Sequence, residues 1–335
     1  MKLSRNLIDT LSSAYAAPAK RASVVTLGNF DGVHLGHQAI IAALQKLAQP
    51  ENLAVKVVTF APHPRDYFAS LGRGTPVLQI DSVRERLVQL AKHGVDETLL
   101  LRFNHALANL SAHDFVAQVL VKRCNAKHVV VGRDVRFGHQ RTGDLALLQA
   151  LGQQYGFSVH TIEDVLQQNQ CNVTRISSSA IRTALATGDI VTSNQLLGRP
   201  YSVSGRVIHG RKIGRTLNCP TLNIVPHMKN PALRGICVVA VHGLAEKPLN
   251  GVASMGLRPT VENTTRFSLE VHVFDWAGNA YGKRVSIEFL HKLRDEAAYI
   301  DLATLQTAIE ADVLAAQSWL ALDRFHSTAV SASSK

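Results

Sequence analysis

A short segment, Leu27–His37 (LGNFDGVHLGH), contains residue types that could stabilise a phosphoryl group during its transfer. His34 and His37 are three residues apart, so both imidazoles lie on one face if a helix begins here. Glycines recur at Gly28, Gly32 and Gly36. A main chain without Cβ atoms can approach a ligand closely, and the N–H groups at the start of a helix attract anions. The segment therefore predicts a phosphate site in which two imidazoles face developing negative charge.

The flanking sequence predicts the elements that would position this loop. Before it, Ala22–Thr26 (ASVVT) is apolar and rich in β-branched residues, which is typical of a buried strand. After it, Gln38–Ala48 (QAIIAALQKLA) repeats apolar residues at helical spacing. The chain contains neither a GxxxxGK[ST] Walker loop nor a GxGxxG dinucleotide motif. We therefore predict a strand, a glycine-rich turn and a helix that form a phosphate site outside those two classes.

The composition limits the possible partners. The chain has 335 residues, of which 46% are hydrophobic, and this is enough for two domains with real cores. Its formal charge of +11 favours anionic partners, either nucleic acid or phosphorylated small molecules. The positive charges are dispersed rather than clustered, which favours small molecules and predicts no nucleic-acid partner.

The sequence predicts neither a membrane protein nor a secreted one. No apolar run approaches the ~18 residues that would span a bilayer. Charged residues interrupt the beginning of the chain, which is unlike a signal peptide. Four widely spaced cysteines show no CxxC or zinc pattern: Cys124, Cys171, Cys219 and Cys237. We expect them to be free thiols in a cytoplasmic protein.

Strand-like and helix-like runs alternate over the first half of the chain. Val55–Phe60 and Lys127–Val131 have the composition of buried strands, whereas Ser82–His93 and Ser111–Cys124 have amphipathic helical patterns. Alternation of this kind predicts a parallel sheet with helices on both faces, and ligands then bind at the carboxyl ends of the strands. We assign this α/β pattern to a first domain, residues 1–186.

The second half has a different pattern, with short strands joined by Gly, Pro and Asn. The predicted strands are Val203–Ile208, Ile236–Val241, Gly251–Met255, Phe267–Phe274 and Arg284–Phe289. Their spacing predicts an antiparallel β-barrel, which a helix over about Leu302–Leu322 closes. We assign this domain to residues 187–325 and expect residues 326–335 to be a flexible tail.

Several further motifs occur in a fixed order along the chain. They are TFAPHPRDY (Thr59–Tyr67), GRDVRFGHQRTGD (Gly132–Asp144), RISSSAIR (Arg175–Arg182), VIHGRKIGRTLNCPTLNI (Val207–Ile224), GVASMGLRPTV (Gly251–Val261) and SLEVHVFDW (Ser268–Trp276). Together with GNFDGVHLGH, they make the chain resemble the bacterial bifunctional riboflavin kinase/FAD synthetase family. The resemblance implies a Rossmann-like HIGH-type nucleotidylyltransferase followed by a β-barrel riboflavin kinase. It also implies conversion of riboflavin to FMN and of FMN to FAD, with ATP as co-substrate and Mg²⁺ as cofactor.

The same resemblance implies roles for residues of the first domain. His34 and His37 would be catalytic. ATP and its phosphates would contact Gly28, Asn29, Phe30, Asp31, Gly36, Arg175, Ser178, Ser179 and Arg182. The flavin would contact His63, Asp66 and Phe137, with the Phe137 ring as a stacking platform. Val135 departs from the family pattern, which commonly has Phe there.

In the second domain, the resemblance implies a basic glycine-rich flap that closes on phosphate: Gly210, Lys212, Gly214 and Arg215. Thr221 and Asn223 would bind Mg²⁺ through oxygen. Glu270 would be the general base, because strand alternation places it opposite the apolar face of its strand. Arg294 would contact the flavin, and the role of Arg258 stays open.

Two alternatives remain open at this point. The basic composition and the HIGH-like motif are also compatible with a protein that acts on nucleic acid or tRNA. Alternatively, the chain is a family member with one active module, because Val135, Cys219 and Cys237 depart from the family pattern. Co-purified yellow flavin would favour the bifunctional enzyme over the first alternative.

Overall fold

The computed structural model describes residues 1–6, 21–168, 173–210, 219–259 and 265–332. The chain forms two units. The first contains Met1–Val77 and Val83–Ser178, and the second contains Leu78–Ser82 and Ser179–Lys335. The five-residue segment 78–82 thus belongs to the second unit although it lies early in the sequence. The predicted division at residue 186 stays a prediction.

The first unit is built on a parallel sheet of six strands in the order β1-β4-β3-β2-β5-β6. The strands are β1 (Lys2–Asn6), β2 (Ser23–Leu27), β3 (Ala54–Ala61), β4 (Glu97–Arg102), β5 (Ala126–Gly132) and β6 (Ser158–Ile162). β2 lies between β3 and β5. After β2, the chain first adds β3 and β4 on one side of it and then adds β5 and β6 on the other side. Ligands of such sheets bind at this reversal of strand order, where the histidine-containing loop emerges from β2.

Helices cover both faces of this sheet, as predicted. They are α1 (Leu35–Ala48), α2 (Pro64–Ser70), α3 (Val83–Lys92), α4 (His105–Ala108), α5 (Ala112–Phe115) and α6 (Leu145–Tyr155). One core joins α1 and α3 to the sheet through Leu44 and Leu90, and the other contains Phe115 and Leu148. The helix predicted at Ser111–Cys124 widens after α5 into a π-helix, Val116–Arg123.

Two short strands and two helices follow the sheet. β7 (Leu166–Gln168) and β8 (Val173–Arg175) form an antiparallel pair. α7 (Ser178–Thr187) comes next, and α8 (Ile190–Leu197) leads into the barrel.

The second unit contains the predicted barrel, closed by six antiparallel strands in the order β10-β13-β12-β11-β14-β9. The strands are β9 (Ser202–Ile208), β10 (Leu222–Val225), β11 (Gly235–His242), β12 (Leu249–Pro259), β13 (Thr265–Val273) and β14 (Arg284–Arg294). The final helix, α9 (Leu302–Ala332), is longer than predicted, so the tail expected from residue 326 is helical as far as Ala332. α9 packs on β11 and β12 through a core that includes Ala316.

Hydrogen bonds explain why segment 78–82 belongs to the barrel unit. The main-chain N–H of Gln79 donates to the carbonyl of Asn230 at 2.7 Å, and the N–H of Ala232 donates to the carbonyl of Gln79 at 2.9 Å. The Gln79 side-chain Oε1 also accepts from the N–H of Lys229 at 2.8 Å. The segment therefore forms a short piece of pairing beside residues 229–232.

Candidate active sites

The loop after β2 has an unusual main-chain conformation. Phe30, Gly32 and Val33 have φ angles of +52°, +83° and +40°, in the left-handed region that side chains other than glycine rarely adopt. Full burial of the Phe30 and Val33 side chains offsets the cost of that conformation. The Thr59 hydroxyl also donates to the carbonyl of Asn29 at 3.0 Å. The loop is therefore held in one shape before any ligand binds.

The two histidines of this loop lie together at the start of α1. His34 is the N-cap rather than a residue of the first helical turn, and its Nδ1 accepts from the N–H of His37 at 3.4 Å. The two imidazole rings stack with centroids 3.6 Å apart, and the His37 ring also lies 4.6 Å from the Phe30 ring. The predicted proximity of the imidazoles is therefore observed, although a cap rather than a shared helical face produces it.

A buried ion pair lies behind the loop. The Asp31 carboxylate is 3.7 Å from the Arg86 guanidinium of α3, and both side chains are almost fully buried. Ser178 donates from its hydroxyl to the Asp31 carbonyl at 2.9 Å. The sequence analysis missed Arg86. The sequence does show an arginine within a predicted amphipathic helix. If such an arginine is buried, it needs an acidic partner.

Two features of this loop suit a nucleotide. The buried side-chain Oδ1 of Asn29 has no hydrogen-bond partner within the described ranges, and such an atom is costly unless a ligand or water satisfies it. At Gly36, a Cβ atom would lie 3.1 Å from the His34 ring, so a larger residue would crowd the imidazole. Main-chain N–H groups at the start of α1 add positive potential. These N–H groups are donors that suit a phosphate group, whereas the Asn29 Oδ1 can only accept a hydrogen bond from another part of a nucleotide.

The residues predicted to contact flavin in the first unit have structural partners. His63 caps α2 and accepts from the N–H of Arg65 at 3.1 Å, and Asp66 accepts from the N–H of Val77 at 2.8 Å. The Phe137 ring is only 5% exposed and packs in the core against Phe115. This packing argues against Phe137 as a stacking platform.

Four other aromatic rings cluster at the carboxyl end of the sheet, and the sequence analysis missed them: Phe60, Tyr67, Phe68 and Phe103. Their centroids lie 5.3–5.9 Å apart in edge-to-face contacts, and each ring is partly exposed. Phe103 contacts the other three rings and follows a different strand. Its contact with the rings in and near Thr59–Tyr67 therefore depends on the tertiary fold, and no local sequence pattern predicts it.

The predicted phosphate-binding arginines already have partners. Arg175 binds Asp134 and Asp164, each at 2.9 Å, and the hydrogen bond with Asp134 raises the pKa of Arg175. Arg182 donates from Nε to the carbonyl of Leu78 at 2.7 Å. Arg182 and Ser179 belong to the second unit, whereas Arg175 and Ser178 belong to the first.

In the second unit, three predicted residues converge on the outer face of the barrel. Leu269 and Val271 are buried while Glu270 is partly exposed, which confirms the predicted alternation along β13. Glu270 pairs in register with Asn223 of β10, and the Thr221 hydroxyl lies 3.4 Å from Oε2 of Glu270. At Gly210, a Cβ atom would lie 2.3 Å from the Asn223 amide, so glycine permits this close approach.

Two cavities meet at Thr221. One, of about 300 Å³, is lined by residues that include Cys219, Thr221, Glu270 and Arg294. The other, of about 320 Å³, is lined by residues that include Thr221, Asn223, Trp276 and Tyr281. The Thr221 hydroxyl thus lies where the two cavities meet, and the Glu270 carboxylate lies beside it in the first cavity.

Arg294 lines the first cavity but is anchored within the protein. Its Nε and one terminal nitrogen donate to the two carboxylate oxygens of Asp312 at 2.7 and 2.6 Å. The hydrogen bond with Asp312 raises the pKa of Arg294. Arg294 therefore fastens α9 to β14, and its predicted flavin contact stays a prediction. The flap residues Lys212, Gly214 and Arg215 lie outside the described residues.

The first unit thus presents a loop suited to phosphate, and the second places a carboxylate in one cavity beside a threonine that also lines a second cavity. Together they define a two-site enzyme that transfers phosphorus-containing groups. The family model for FAD synthetase matches residues 16–180, and the family model for riboflavin kinase matches residues 197–320. The chain belongs to the family of bifunctional riboflavin kinase/FMN adenylyltransferases.

Relatives match nearly the whole chain. The bifunctional riboflavin kinase/FMN adenylyltransferase of Escherichia coli (strain K12) is 39% identical over 97% of this chain and 99% of the relative. That of Pseudomonas fluorescens is 40% identical over 90% of this chain and 94% of the relative. A solved structure described as a macrolide-efflux protein from Streptococcus pneumoniae is 30% identical, with a TM-score of 0.69 over 88% of this chain and 93% of that one. Across the described ranges, no helix has the length and apolar character to cross a membrane.

Proposed function

We propose that this chain makes FAD from riboflavin in two reactions. The second unit transfers the γ-phosphoryl group of ATP to riboflavin and gives FMN and ADP. The first unit transfers the adenylyl group of a second ATP to FMN and gives FAD and pyrophosphate. The observation that supports this most directly is that Thr221 lines both cavities and has the Glu270 carboxylate beside it in the first cavity. The other unit of the chain has a separate loop suited to phosphate.

In riboflavin phosphorylation, Glu270 is the general base. Its carboxylate accepts the proton of the terminal ribityl hydroxyl as that oxygen attacks the γ-phosphorus of ATP. The cavity with Cys219 and Arg294 would hold the flavin, and the cavity with Trp276 and Tyr281 would hold the nucleotide. The hydroxyl and the phosphate then approach each other beside Thr221.

Magnesium fits the donor atoms at this position. Thr221, Asn223 and Glu270 offer hydroxyl, amide and carboxylate oxygens, which are the ligands that Mg²⁺ prefers together with phosphate oxygens. In the described part of the chain, no cluster of three His, Cys, Asp or Glu side chains could bind a metal alone. Thr221 and Asn223 would therefore hold the ion jointly with ATP. When bound, Mg²⁺ neutralises phosphate charge.

In adenylyl transfer, a phosphate oxygen of FMN attacks the α-phosphorus of ATP and pyrophosphate leaves. His34 and His37 lie at the start of α1 and stabilise negative charge on the phosphates, together with main-chain N–H groups. The side-chain amide of Asn29 would form a hydrogen bond with the nucleotide. The aromatic cluster around Phe103 replaces Phe137 as the proposed surface for the isoalloxazine ring.

We also propose that the enzyme works in the cytoplasm. The described cysteines, Cys124, Cys219 and Cys237, are buried free thiols, which suits a reducing compartment. Riboflavin, FMN and ATP are the expected partners. The dispersed positive charge favours the phosphorylated partners FMN and ATP over nucleic acid.

The test is an assay of both half-reactions with the purified full chain. Riboflavin with ATP and Mg²⁺ should give FMN and then FAD, and FMN with ATP should give FAD and pyrophosphate, as resolved by chromatography of the flavins. A chain that makes FAD only from supplied FMN, or that stops at FMN, has one active module. If neither flavin product forms and the chain binds tRNA, the proposal fails.

A further inference from the structure

His272 lies two residues beyond Glu270 on β13 and lines the same cavity. Its Nδ1 is 2.9 Å from the main-chain carbonyl of Pro220. Because a carbonyl oxygen can only accept a hydrogen bond, Nδ1 must carry the proton in this contact. The contact therefore fixes both the tautomer and the orientation of the ring.

The contact occurs where regular pairing between β10 and β13 stops. The first paired residues of β10 are Leu222 with Val271 and Asn223 with Glu270. Pro220 has no N–H group, so it cannot donate to a further ladder bond. The His272 side chain supplies a bond to the Pro220 carbonyl instead. Thr221 lies between Pro220 and the first paired residue of β10.

We propose that His272 is a positioning residue for riboflavin phosphorylation. By binding the Pro220 carbonyl, it holds the main chain so that the Thr221 hydroxyl stays beside the Glu270 carboxylate, 3.4 Å away. This inference rests on the proposed function. It assigns His272 to the placement of Mg-ATP through Thr221 and not to proton transfer.

Two amide substitutions separate this role from a general effect of losing the ring. In His272→Asn, the side-chain N–H₂ group can occupy the place of Nδ1 and donate to the Pro220 carbonyl. In His272→Gln, the longer side chain places its amide near the position of Nε2, which the proposal does not use. His272→Ala removes both nitrogen atoms.

The full chain with each substitution is assayed for riboflavin phosphorylation and for FAD formation from supplied FMN. We expect the Asn variant to stay within about threefold of wild type. The Ala and Gln variants should lose about 10- to 100-fold in kcat/KM for Mg-ATP, because small displacements of reacting groups have effects of this size. FAD formation from supplied FMN should not change. Circular dichroism and thermal unfolding check that each variant is folded.

A double-substitution cycle with Thr221→Ala tests the route of the effect. If His272 acts through Thr221, His272→Ala should cost less than threefold in the Thr221→Ala background, because the two losses are not additive. Additive losses would overturn the proposal. So would an Asn variant as impaired as the Ala variant, or an Ala variant as active as wild type.

A failure of the proposed function is distinguishable from a failure of this inference. If wild-type protein does not phosphorylate riboflavin, the proposed function fails whatever the variants do. The affinity for the Mg-ATP complex, measured by calorimetry with the same variants, still tests His272. The expected order is wild type and Asn together, with Gln and Ala weaker, and any other order overturns the inference.

Discussion

The two candidate sites place opposite kinds of groups where the chemistry would occur. The loop of the first unit presents the imidazoles of His34 and His37 at a helix start, and its acidic residue Asp31 is ion-paired with Arg86. The site of the second unit presents the carboxylate of Glu270 on a strand face that lines one cavity, and Thr221 connects this cavity with a second one. This difference between imidazoles and a carboxylate matches the different nucleophiles of the two proposed reactions. A phosphate monoester such as FMN is largely ionised at neutral pH and needs no base, whereas a ribityl hydroxyl must lose a proton during attack.

The largest expected effect tests the site without a base. His34→Ala combined with His37→Ala should reduce FAD formation from FMN by at least about 10³-fold, since loss of one such stabilising group typically costs ~10²–10³-fold. Riboflavin phosphorylation should stay within twofold of wild type. His105→Ala, an exposed histidine on α4, is the control. Undiminished FAD synthesis in the double variant would remove both imidazoles from the mechanism.

The reciprocal test removes the proposed base. Glu270→Gln keeps the shape of the side chain but cannot accept the proton, so riboflavin phosphorylation should fall by ~10²–10⁴-fold. FAD formation from supplied FMN should be unaffected. Glu288→Gln on β14, whose carboxylate pairs with His242 at 2.8 Å, is the matched control in the same barrel. A variant with more than half of the wild-type kinase rate would show that Glu270 is not the base.

A third test concerns the environment of the cavity that Cys219 and Glu270 line. Burial raises the pKa of Cys219 to about 11, so the thiol stays protonated until the pH approaches that value. At pH 8 its thiolate fraction is then about 0.1%, against roughly a quarter for an unperturbed cysteine. Alkylation of Cys219 by iodoacetamide should therefore be about 100-fold slower than that of glutathione and should accelerate up to about pH 11. Site-resolved mass spectrometry measures the rate. Modification of Cys219 at the glutathione rate would contradict a desolvated site.

A smaller effect is expected at the proposed metal ligand. Thr221→Ala removes one oxygen donor, so the Mg²⁺ concentration for half-maximal kinase activity should rise about tenfold, and excess Mg²⁺ should restore part of the rate. FAD formation should keep its wild-type Mg²⁺ dependence. Thr307→Ala on the exposed side of α9 is the control. An unchanged Mg²⁺ dependence would leave Thr221 as a turn residue.

The smallest expected effect tests whether segment 78–82 is part of the second unit. Gln79→Ala removes the acceptor for the Lys229 N–H, and loss of one such bond costs about 1 kcal/mol, or about 2–4 °C in the unfolding midpoint. Kinase activity should be lost at a lower temperature while the thermal loss of FAD formation is unchanged. Gln45→Ala, which removes a bond to the His93 carbonyl in the first unit, should show the reverse. A shift of both activities by Gln79→Ala would contradict the assignment.

Local patterns in the sequence predicted the elements and one face of each site. The switch from a β-branched run to helical spacing predicted β2, the loop and α1, and alternation along β13 predicted the outward position of Glu270. These signals are local because the side-chain period is set by the main chain. The alternation of strands and helices predicted the parallel sheet, and the spacing of the short strands predicted the barrel.

Contacts between distant residues could not be predicted in this way. The resemblance assigned Arg175 and Arg182 to phosphate and Arg294 to flavin, and those roles stay predictions. The sequence did not predict that these side chains contact Asp134, Leu78 and Asp312. Phe137 was predicted to offer its ring for stacking, and only the packing of the folded chain shows that this ring is buried. The ion pair of Arg86 and the aromatic cluster around Phe103 were missed for the same reason. Tertiary neighbours decide such roles, and sequence spacing does not encode them.

The division of the chain also limits how its halves can be recombined. The main chain passes between the units at Val77–Leu78, Ser82–Val83 and Ser178–Ser179. A chimera made from two relatives by one crossover after α7 would give the barrel of one parent a 78–82 segment from the other. Gln79 and the residues it pairs with, 229–232, would then come from different parents. Crossovers that exchange this five-residue segment together with the barrel keep its partners matched.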